Sequence, residues 1–261
     1  MTRWIRFIQG AVEYFGTLEG STIQVHSGNM FENPLPQEVI TQLSSVRVIA
    51  PVRPGKFIGL WNNFHALAAK LGHAAPTEPL CFLKASNSYL DPEAEFRKPA
   101  SYEGRVVYEG ELGVVIGRQC TDVDEARAGA AIFGYTCVND LTAIDLLNRD
   151  PSFAQWMRAK SFDGFGPIGP LIATGLDWTQ LRIRTMVDGV ERQNYAAADM
   201  ILSPARIVSQ LSREMTLMPG DVIACGTSLG VKTLRPGATV EVVIDSIGTL
   251  RNTFAEDKPS A

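Results

Sequence analysis

The chain has 261 residues, 45% of them hydrophobic and 20% charged, which is the composition of a globular protein that can bury a core of its own. Its formal net charge is −4, so it lacks the basic field that holds nucleic acid. No apolar run approaches the ~18 residues of a membrane span, and the first residues lack the layout of a signal peptide. The four cysteines are widely spaced. We therefore expect a cytoplasmic protein with reduced thiols and no nucleic-acid or membrane partner.

Short stretches of alternating polar and apolar residues, separated by glycines, fill the first 46 residues. They cover residues 4–9, 13–20 and 22–26 and predict a small β meander. Segments that contain proline, at 33–37 and 50–55, then interrupt the pattern. We therefore predict a small N-terminal β domain over residues 1–53, followed by a larger domain over residues 54–261.

The larger domain mixes strands with few helices. Strand-like alternation occurs in residues 105–116, 133–138, 181–187 and 238–244. Two helices are predicted. The first covers residues 121–130 and opens with a capping threonine, and the second covers residues 203–211 and opens with Ser203 as the cap, followed by a proline. Because helices and strands do not alternate regularly, the pattern favours a β-rich α+β fold over a doubly wound sheet or a barrel of βα units.

Two glycine-rich segments match the amino-acid patterns of known motifs, but the residues around them do not fit the structures that those motifs require. Residues 164–169 fit the GxGxxG pattern of dinucleotide sites, but prolines stand where that motif requires a helix. Residues 226–230 fit the GxSxG nucleophile elbow, yet a short, broken segment follows and all three histidines precede Ser228. Neither a dinucleotide-binding protein nor a Ser-His-Asp hydrolase is expected.

A group of carboxylates carries the most informative chemistry. Glu109 and Glu111 are two residues apart in a predicted strand, so both side chains project from one face, about 6–7 Å apart at their Cα atoms. An isolated pair of this kind more often marks a solvated face. Asp140, however, ends an apolar run, and Lys160 offers a balancing positive charge. Three carboxylates select a hard cation, so Mg²⁺, Mn²⁺ or Ca²⁺ is expected.

These residues belong to a longer series of motifs. The series comprises Glu109-Gly-Glu111, Val138-Asn-Asp140, residues 158–170, Asp199-Met200 and residues 215–227. In order and spacing it resembles the fumarylacetoacetate hydrolase family over roughly residues 55–255. The resemblance implies a rolled or sandwiched mixed β-sheet in the catalytic domain, usually in a homodimer. It also implies Mg²⁺ or Mn²⁺ held by Glu109, Glu111 and Asp140, and a small 2-oxo acid as substrate.

The resemblance assigns further roles. Lys160 would be catalytic, by stabilising the developing negative charge or by transferring a proton. Gly226, Thr227 and Gln193 would bind the substrate, with the backbone N–H or hydroxyl of Thr227 donating to the substrate carboxylate. From the residues alone, Lys160 could instead form a structural ion pair with Asp163, and Thr227 could be an ordinary turn residue.

Residues 59–70 resemble the family's lid, in which a histidine and a glutamate three residues later activate water. His65 takes the position of the catalytic histidine, but position 68 is alanine. A histidine without a carboxylate to fix its tautomer is a poorer general base. Glu13 or Glu78 could supply the missing carboxylate from elsewhere in the chain.

Three functions follow as hypotheses. The first is metal-dependent hydrolysis of a C–C bond in an acylpyruvate-like 2-oxo or 1,3-diketo acid, in the catabolism of aromatic compounds. The alternative is a decarboxylase or isomerase of 2-oxo or 2-hydroxydienoic diacids, of the oxaloacetate or hydroxyheptadienedioate type, which needs a metal and a proton donor but no activated water. The second alternative is a catalytically weak metal-binding relative. It draws on the missing glutamate and on Phe64 and Ile144, which stand where an acidic residue and an arginine are common.

Overall fold

Four antiparallel strands build the N-terminal part of the structure, a computed structural model that describes residues 1–256. They are β1 (Thr2–Gln9), β2 (Val12–Glu19), β3 (Thr22–Asn29) and β4 (Glu32–Gln42). The predicted meander is confirmed. The interruption predicted at residues 33–37 is wrong, because these residues lie within β4. That strand is at the edge of its sheet, where one side needs no ladder hydrogen bonds, so Pro34 and Pro36 are tolerated.

The other elements are short and follow the meander. The strands are β5 (Arg47–Ile49), β6 (Phe57–Trp61), β7 (Leu80–Lys84), β8 (Tyr89–Leu90), β9 (Glu95–Phe96), β10 (Val106–Val107), β11 (Gly110–Ile116), β12 (Ile132–Asn139), β13 (Thr142–Ala143), β14 (Gly166–Thr174), β15 (Arg182–Val187), β16 (Val190–Ala196), β17 (Val222–Ala224), β18 (Thr239–Ile244) and β19 (Gly248–Phe254). The helices are α1 (His65–Leu71), α2 (Glu125–Ala131), α3 (Ile144–Leu147), α4 (Trp156–Lys160) and α5 (Pro204–Ser212).

A mixed sheet runs through the molecule in the order β4-β3-β2-β1-β14-β12-β11-β17-β6-β7, with β5 against β1 and β8 against β14. Within it, β17 and β6 are parallel. A second sheet has the order β16-β15-β18-β19-β9, and its strands β15, β18 and β19 contact β11, β12 and β14 of the first. This is the β-rich mixed-sheet fold that the sequence predicts.

The N-terminal meander joins the rest of the chain through β1, which pairs antiparallel with β14. Trp4 lies opposite Ile172 in this pairing, so one sheet continues across the two parts. The boundary predicted near residue 53 falls in the connection between β5 and β6, and its exact place stays a prediction.

The main core lies between the two sheets. Leu112, Val114 and Ile116 of β11 point into it and belong to the same apolar cluster as Val242 of β18. Burying one such side chain is worth about 1.5–3 kcal/mol. Because side chains alternate along a strand, Glu111 faces the other way, out of this core.

The prediction of a single strand over residues 105–116 is wrong at residues 108–109. Two strands, β10 and β11, replace it and are separated by Tyr108 and Glu109. β10 leaves the main sheet to pair with β13, and the Tyr108 hydroxyl donates to the carbonyl oxygen of Gly230 at 2.7 Å. Glu109 therefore lies in the connection between two sheets.

The helix predicted over residues 121–130 begins later, at Glu125. Asp124 is its N-cap, and the carboxylate accepts a backbone hydrogen bond from the first turn. Before it, Cys120 forms an isolated antiparallel bridge with Leu217. Between the bridge and the helix, Asp122 has a positive φ of 50° and its N–H donates to Ser212 O at 2.7 Å, so the helix cannot begin at the threonine.

The other predicted elements are confirmed. The strands expected at 133–138, 181–187 and 238–244 match β12, β15 and β18 within one residue at each end. The expected second helix is α5, and Ser203 caps it by accepting from the third backbone N–H beyond it. The GxGxxG segment leads into β14 rather than a helix, and all four cysteines are free. Within residues 1–256, no helix is long and apolar enough to cross a membrane.

Asp221 holds the parallel pairing of β6 and β17. Its buried carboxylate accepts from the backbone N–H groups of Lys56, at 2.8 Å, and Met218, at 2.7 Å, and pairs with Lys56 Nζ at 2.6 Å. Asp221→Ala is expected to lower the free energy of unfolding by about 3 kcal/mol, because these donors lose their acceptor. Denaturant unfolding measures the effect.

The control is Asp245→Ala, which removes a carboxylate whose side chain is 80% exposed from a surface ion pair. Its expected effect is below about 0.5 kcal/mol. Equal losses in the two variants would contradict the role given to Asp221.

Candidate active site

Glu109, Glu111 and Asp140 meet at one end of the β11–β12 pair. Gly110 lies opposite Asn139 in the antiparallel register. The next residues outward, Glu109 and Asp140, also lie side by side, and Asp140 N donates to Glu109 O at 2.9 Å. One carboxylate oxygen from each of the three residues lies within 4.8 Å of the others. The three carboxylates therefore converge as expected. The register between β11 and β12 brings them together, rather than the alternation of side chains along a single strand.

Gly110, between the two glutamates, is fixed by its neighbours. Its N–H donates to Gln193 Oε1 at 3.0 Å, and its carbonyl oxygen accepts from the Thr227 hydroxyl at 3.1 Å and from the Tyr195 hydroxyl. A Cβ atom here would lie 2.0 Å from a threonine hydroxyl of β15, so the close approach requires glycine. The backbone that carries both glutamates is therefore held in place.

Two buried lysines face the carboxylates. Lys160, at the end of α4, donates from Nζ to Asp140 at 2.5 Å and to Glu109 at 2.9 Å. Lys84, at the end of β7, donates to the other oxygen of Asp140 at 2.5 Å and to the carbonyl oxygen of Lys160 at 2.6 Å. Asp163, weighed as an ion-pair partner for Lys160, instead accepts from an asparagine amide. Lys160 therefore belongs to the carboxylate cluster.

Sequence reasoning missed Lys84. The available signal was a lysine that ends the apolar run of residues 80–83, the kind of signal already used for Asp140. With both lysines charged, the three carboxylates keep one formal negative charge. A bound divalent cation would turn this total into one positive charge. A site of that charge attracts an anionic ligand.

Burial and repulsion control how the carboxylates titrate. Burial, followed by the charges of Asp140 and Glu109, raises the pKa of Glu111 well above its ordinary value. Burial also raises the pKa of Glu109, although Lys160 opposes it. Burial also acts to raise the pKa of Asp140, but the charges of Lys160 and Lys84 outweigh burial, so this pKa is lowered. Asp140 is thus the carboxylate that most firmly stays ionised.

The balance between burial and nearby charge also separates the pKa values of the two lysines. Burial works to lower the pKa of both ammonium groups. For Lys160 the charges of Asp140 and Glu109 outweigh burial and raise the pKa. For Lys84 burial prevails over Asp140 and the pKa is lowered. Lys160 is therefore the lysine that keeps its proton more firmly.

One oxygen of the cluster has no partner. Glu111 Oε2 accepts from Gly226 N at 2.7 Å, whereas Glu111 Oε1 is buried and has no hydrogen bond to any residue that the structure describes. A buried oxygen in this condition is costly unless a ligand binds it. Together with Glu109 and Asp140 it offers an all-oxygen donor set that fits Mg²⁺, Mn²⁺ or Ca²⁺.

The residues predicted to bind substrate lie beside the cluster, and protein contacts already occupy much of their hydrogen-bonding capacity. Gln193 accepts from Gly110 N and donates to Thr227 Oγ1 at 2.9 Å, and Gly226 donates its N–H to Glu111. The Thr227 hydroxyl donates its proton to the carbonyl oxygen of Gly110, and donation from its backbone N–H to a substrate carboxylate stays a prediction. Gln193 and Gly226 thus position the cluster, and their contact with substrate stays a prediction.

His65 begins α1 and is exposed. Ala68, one turn further on, is buried, and the first turn of α1 contains no acidic residue. Asp199 anchors the start of the helix, because its carboxylate accepts from the backbone N–H of Ala66 at 3.0 Å. The catalytic role of His65 stays a prediction.

Neither glutamate considered as a replacement contacts His65. Glu13 forms ion pairs with Arg6 and Arg53 in the N-terminal part of the fold. Glu78 is exposed in the connection between α1 and β7, and within the described chain it makes no ion pair with His65. The histidine therefore has no carboxylate partner in the part of the chain that is described.

The remaining positions of interest are apolar or lack a catalytic partner. Phe64 is buried with its ring centroid 4.9 Å from that of Tyr195. Ile144 packs against an apolar cluster. The buried Ser228 hydroxyl has no hydrogen bond to the described residues, so no base is placed to activate it. This geometry agrees with the rejection of a Ser-His-Asp hydrolase.

Comparisons with known proteins agree with this geometry. The sequence model described as fumarylacetoacetate (FAA) hydrolase, C-terminal, matches residues 56–255, and the model described as Rv2993c-like, N-terminal, matches residues 2–51. An uncharacterized protein of Archaeoglobus fulgidus is 44% identical over 211 residues, which are 81% of this chain and 83% of that protein.

Two solved structures share the fold over almost the whole chain. A crystal structure of 2-hydroxyhepta-2,4-diene-1,7-dioate isomerase from Mycobacterium marinum is 34% identical with a TM-score of 0.90, covering 98% of this chain and 99% of that one. A crystal structure of 5-carboxymethyl-2-hydroxymuconate delta-isomerase from Mycobacterium smegmatis is 37% identical, also with a TM-score of 0.90, covering 98% and 100%.

Glu111→Gln is expected to weaken Mn²⁺ binding more than tenfold, because it removes the charge of a proposed ligand. The amide oxygen can still accept from Gly226, so the fold should persist. Calorimetric titration with Mn²⁺ measures the affinity. The matched control is Glu125→Gln, at an exposed position of α2, which should bind Mn²⁺ as the wild type does. Wild-type affinity in Glu111→Gln would contradict the metal assignment.

Proposed function

The chain belongs to the fumarylacetoacetate hydrolase family, and from that premise we propose that it is a divalent-metal-dependent isomerase or decarboxylase of a 2-oxo or 2-hydroxydienoic diacid. The proposed cofactor is Mg²⁺ or Mn²⁺, the proposed substrate is of the hydroxyheptadienedioate or oxaloacetate type, and we expect a homodimer. The observation that carries the proposal is the buried Glu111 Oε1, which has no hydrogen-bond partner among residues 1–256 and lies in a cluster with two other carboxylates and Lys160.

The chemistry of the site favours isomerisation or decarboxylation over hydrolysis, which was the first hypothesis from the sequence. Ketonisation moves a proton from the 2-hydroxyl group to carbon, and decarboxylation of oxaloacetate releases CO₂ and adds a proton at C3. Neither reaction needs an activated water, whereas hydrolysis does. The alanine at position 68 leaves His65 without the carboxylate of the family's dyad. The two isomerase structures described above support the same preference.

Each group of the site has a proposed task. When bound, a divalent cation held by Glu109, Glu111 and Asp140 would act as a Lewis acid toward the oxygens of the 2-oxo acid. Lys160, whose raised pKa keeps Nζ charged, would stabilise negative charge on the substrate or donate the proton. The backbone N–H of Thr227 would donate to the substrate carboxylate.

Hydrolysis of an acylpyruvate-like acid is the second candidate. It is favoured by the exposed imidazole of His65 at the start of α1, at the position of the family's lid histidine. A neutral histidine can take a proton from water near neutral pH even without a fixed tautomer, but less effectively.

The first test is turnover of three acids by the Mn²⁺-loaded protein: 2-hydroxyhepta-2,4-dienedioate, oxaloacetate and acetylpyruvate. We expect ketonisation or decarboxylation that EDTA abolishes. Lys160→Met should lower kcat at least about 100-fold, because the positive charge that stabilises negative charge on the substrate is lost. The control is Lys70→Met, on the exposed last turn of α1, which should keep wild-type kcat.

Each other outcome has a definite meaning. Activity that survives EDTA or Lys160→Met would contradict the proposal. Cleavage of acetylpyruvate alone would establish the second candidate. Binding of Mn²⁺ and oxalate without turnover of any of the three acids would identify a metal-binding relative that is not an enzyme.

A further inference from the structure

A row of aromatic rings leads away from Lys160. Lys160 Nζ lies 4.9 Å from the ring centroid of Phe82. The Phe82 ring stacks on Trp156 with centroids 5.3 Å apart and planes at 15°, and Trp156 lies 5.7 Å from Trp61. The row therefore starts at the proposed proton donor and continues across α4 and the end of β6.

Local geometry explains why these rings border the site. Phe82 and Lys84 are two residues apart on β7, so their side chains share one face of the strand. Trp156 and Lys160 are four residues apart on α4, so they share one face of the helix. Because α4 packs on β7, each element places one lysine at the carboxylates and one aromatic ring beside it.

The three rings differ in exposure. Phe82 is 8% exposed and the tip of its ring lies against Gly59, where a Cβ atom would come within 2.4 Å of the ring. Trp156 and Trp61 are only partly buried, and Trp61 also has the ring of His73 with its centroid 6.2 Å away. Phe82 is thus the buried end of the row of rings, and the two tryptophans are its partly exposed members.

We propose that Trp156 and Trp61 form a stacking surface for the planar, conjugated arm of the substrate, and so select 2-hydroxydienoic or 3,4-unsaturated 2-oxo acids over saturated ones. This inference rests on the proposed function, because the carboxylate cluster must hold the 2-oxo acid end. A conjugated chain extends rigidly from that end and presents a flat π face, which an indole contacts well. A saturated chain of equal length bends and presents no such face.

The test compares two six-carbon ligands with the same 2-oxo acid end. They are 2-oxohex-3-enoate, in which a double bond is conjugated with the ketone, and 2-oxohexanoate. Calorimetry on the Mn²⁺-loaded protein gives the two Kd values. Stacking on an indole predicts that the wild type binds the conjugated acid about three- to tenfold more tightly. Trp156→Leu should remove most of that preference and leave the Kd of 2-oxohexanoate nearly unchanged.

Matched variants separate stacking from loss of packing. Trp156→Phe keeps a ring and should retain most of the preference. Trp178→Leu removes a partly buried tryptophan that packs on the main core, and it should leave the preference unchanged. If Trp156→Leu does not fold, as judged by circular dichroism, Trp61→Leu carries the same test.

Three results would overturn the inference. An equal affinity of the wild type for the two acids, or a preference that survives the leucine variant, contradicts stacking while the proposed function stands. If neither acid binds the Mn²⁺-loaded wild type, the proposed function fails together with the inference.

Discussion

Five charged side chains in one buried site constrain the rest of this structure. Three carboxylates have oxygens within 4.8 Å of one another, and each of two ammonium groups donates to at least one of them; four of the five side chains are almost fully buried. A buried charge that loses its partner costs several kcal/mol, so each group must be held accurately. The register of β11 and β12 sets the carboxylates, and β7 and α4 bring the lysines to them. The fold can therefore be understood as the frame that keeps these charges together.

The remaining imbalance points to function. One carboxylate oxygen, Glu111 Oε1, has no hydrogen-bond partner among residues 1–256, and the cluster keeps one formal negative charge. A divalent cation would satisfy that oxygen and reverse the sign of the site. On the proposed function, an anionic 2-oxo acid would then be attracted to the positive site beside Lys160. The missing lid carboxylate at position 68 shifts the expected chemistry from activating water toward moving a proton.

Sequence patterns predicted much of this, and long-range pairing decided the rest. The alternation of β12, β15 and β18 and the cap of α5 are local features, so they could be read directly. The break before Glu109 depends on the pairing of β10 with β13, far along the chain, and no local pattern announces it. The end of an apolar run was a local signal at Lys84, but the role of this lysine depends on α4 packing against β7, which no local pattern shows. Linked motifs assigned Glu109, Glu111 and Asp140 as metal ligands, and this assignment stays a prediction; the three carboxylates do converge, although Glu109 lies outside the strand that the alternation predicted.

A crystal structure with Mn²⁺ and oxalate tests the central claim most directly. Anomalous diffraction at the manganese edge locates the ion independently of the protein density. The account predicts one strong peak bound by Glu109, Glu111 and Asp140, with oxalate chelated to the ion on the side of Lys160. No peak at the three carboxylates, or an ion bound only elsewhere on the chain, would contradict it.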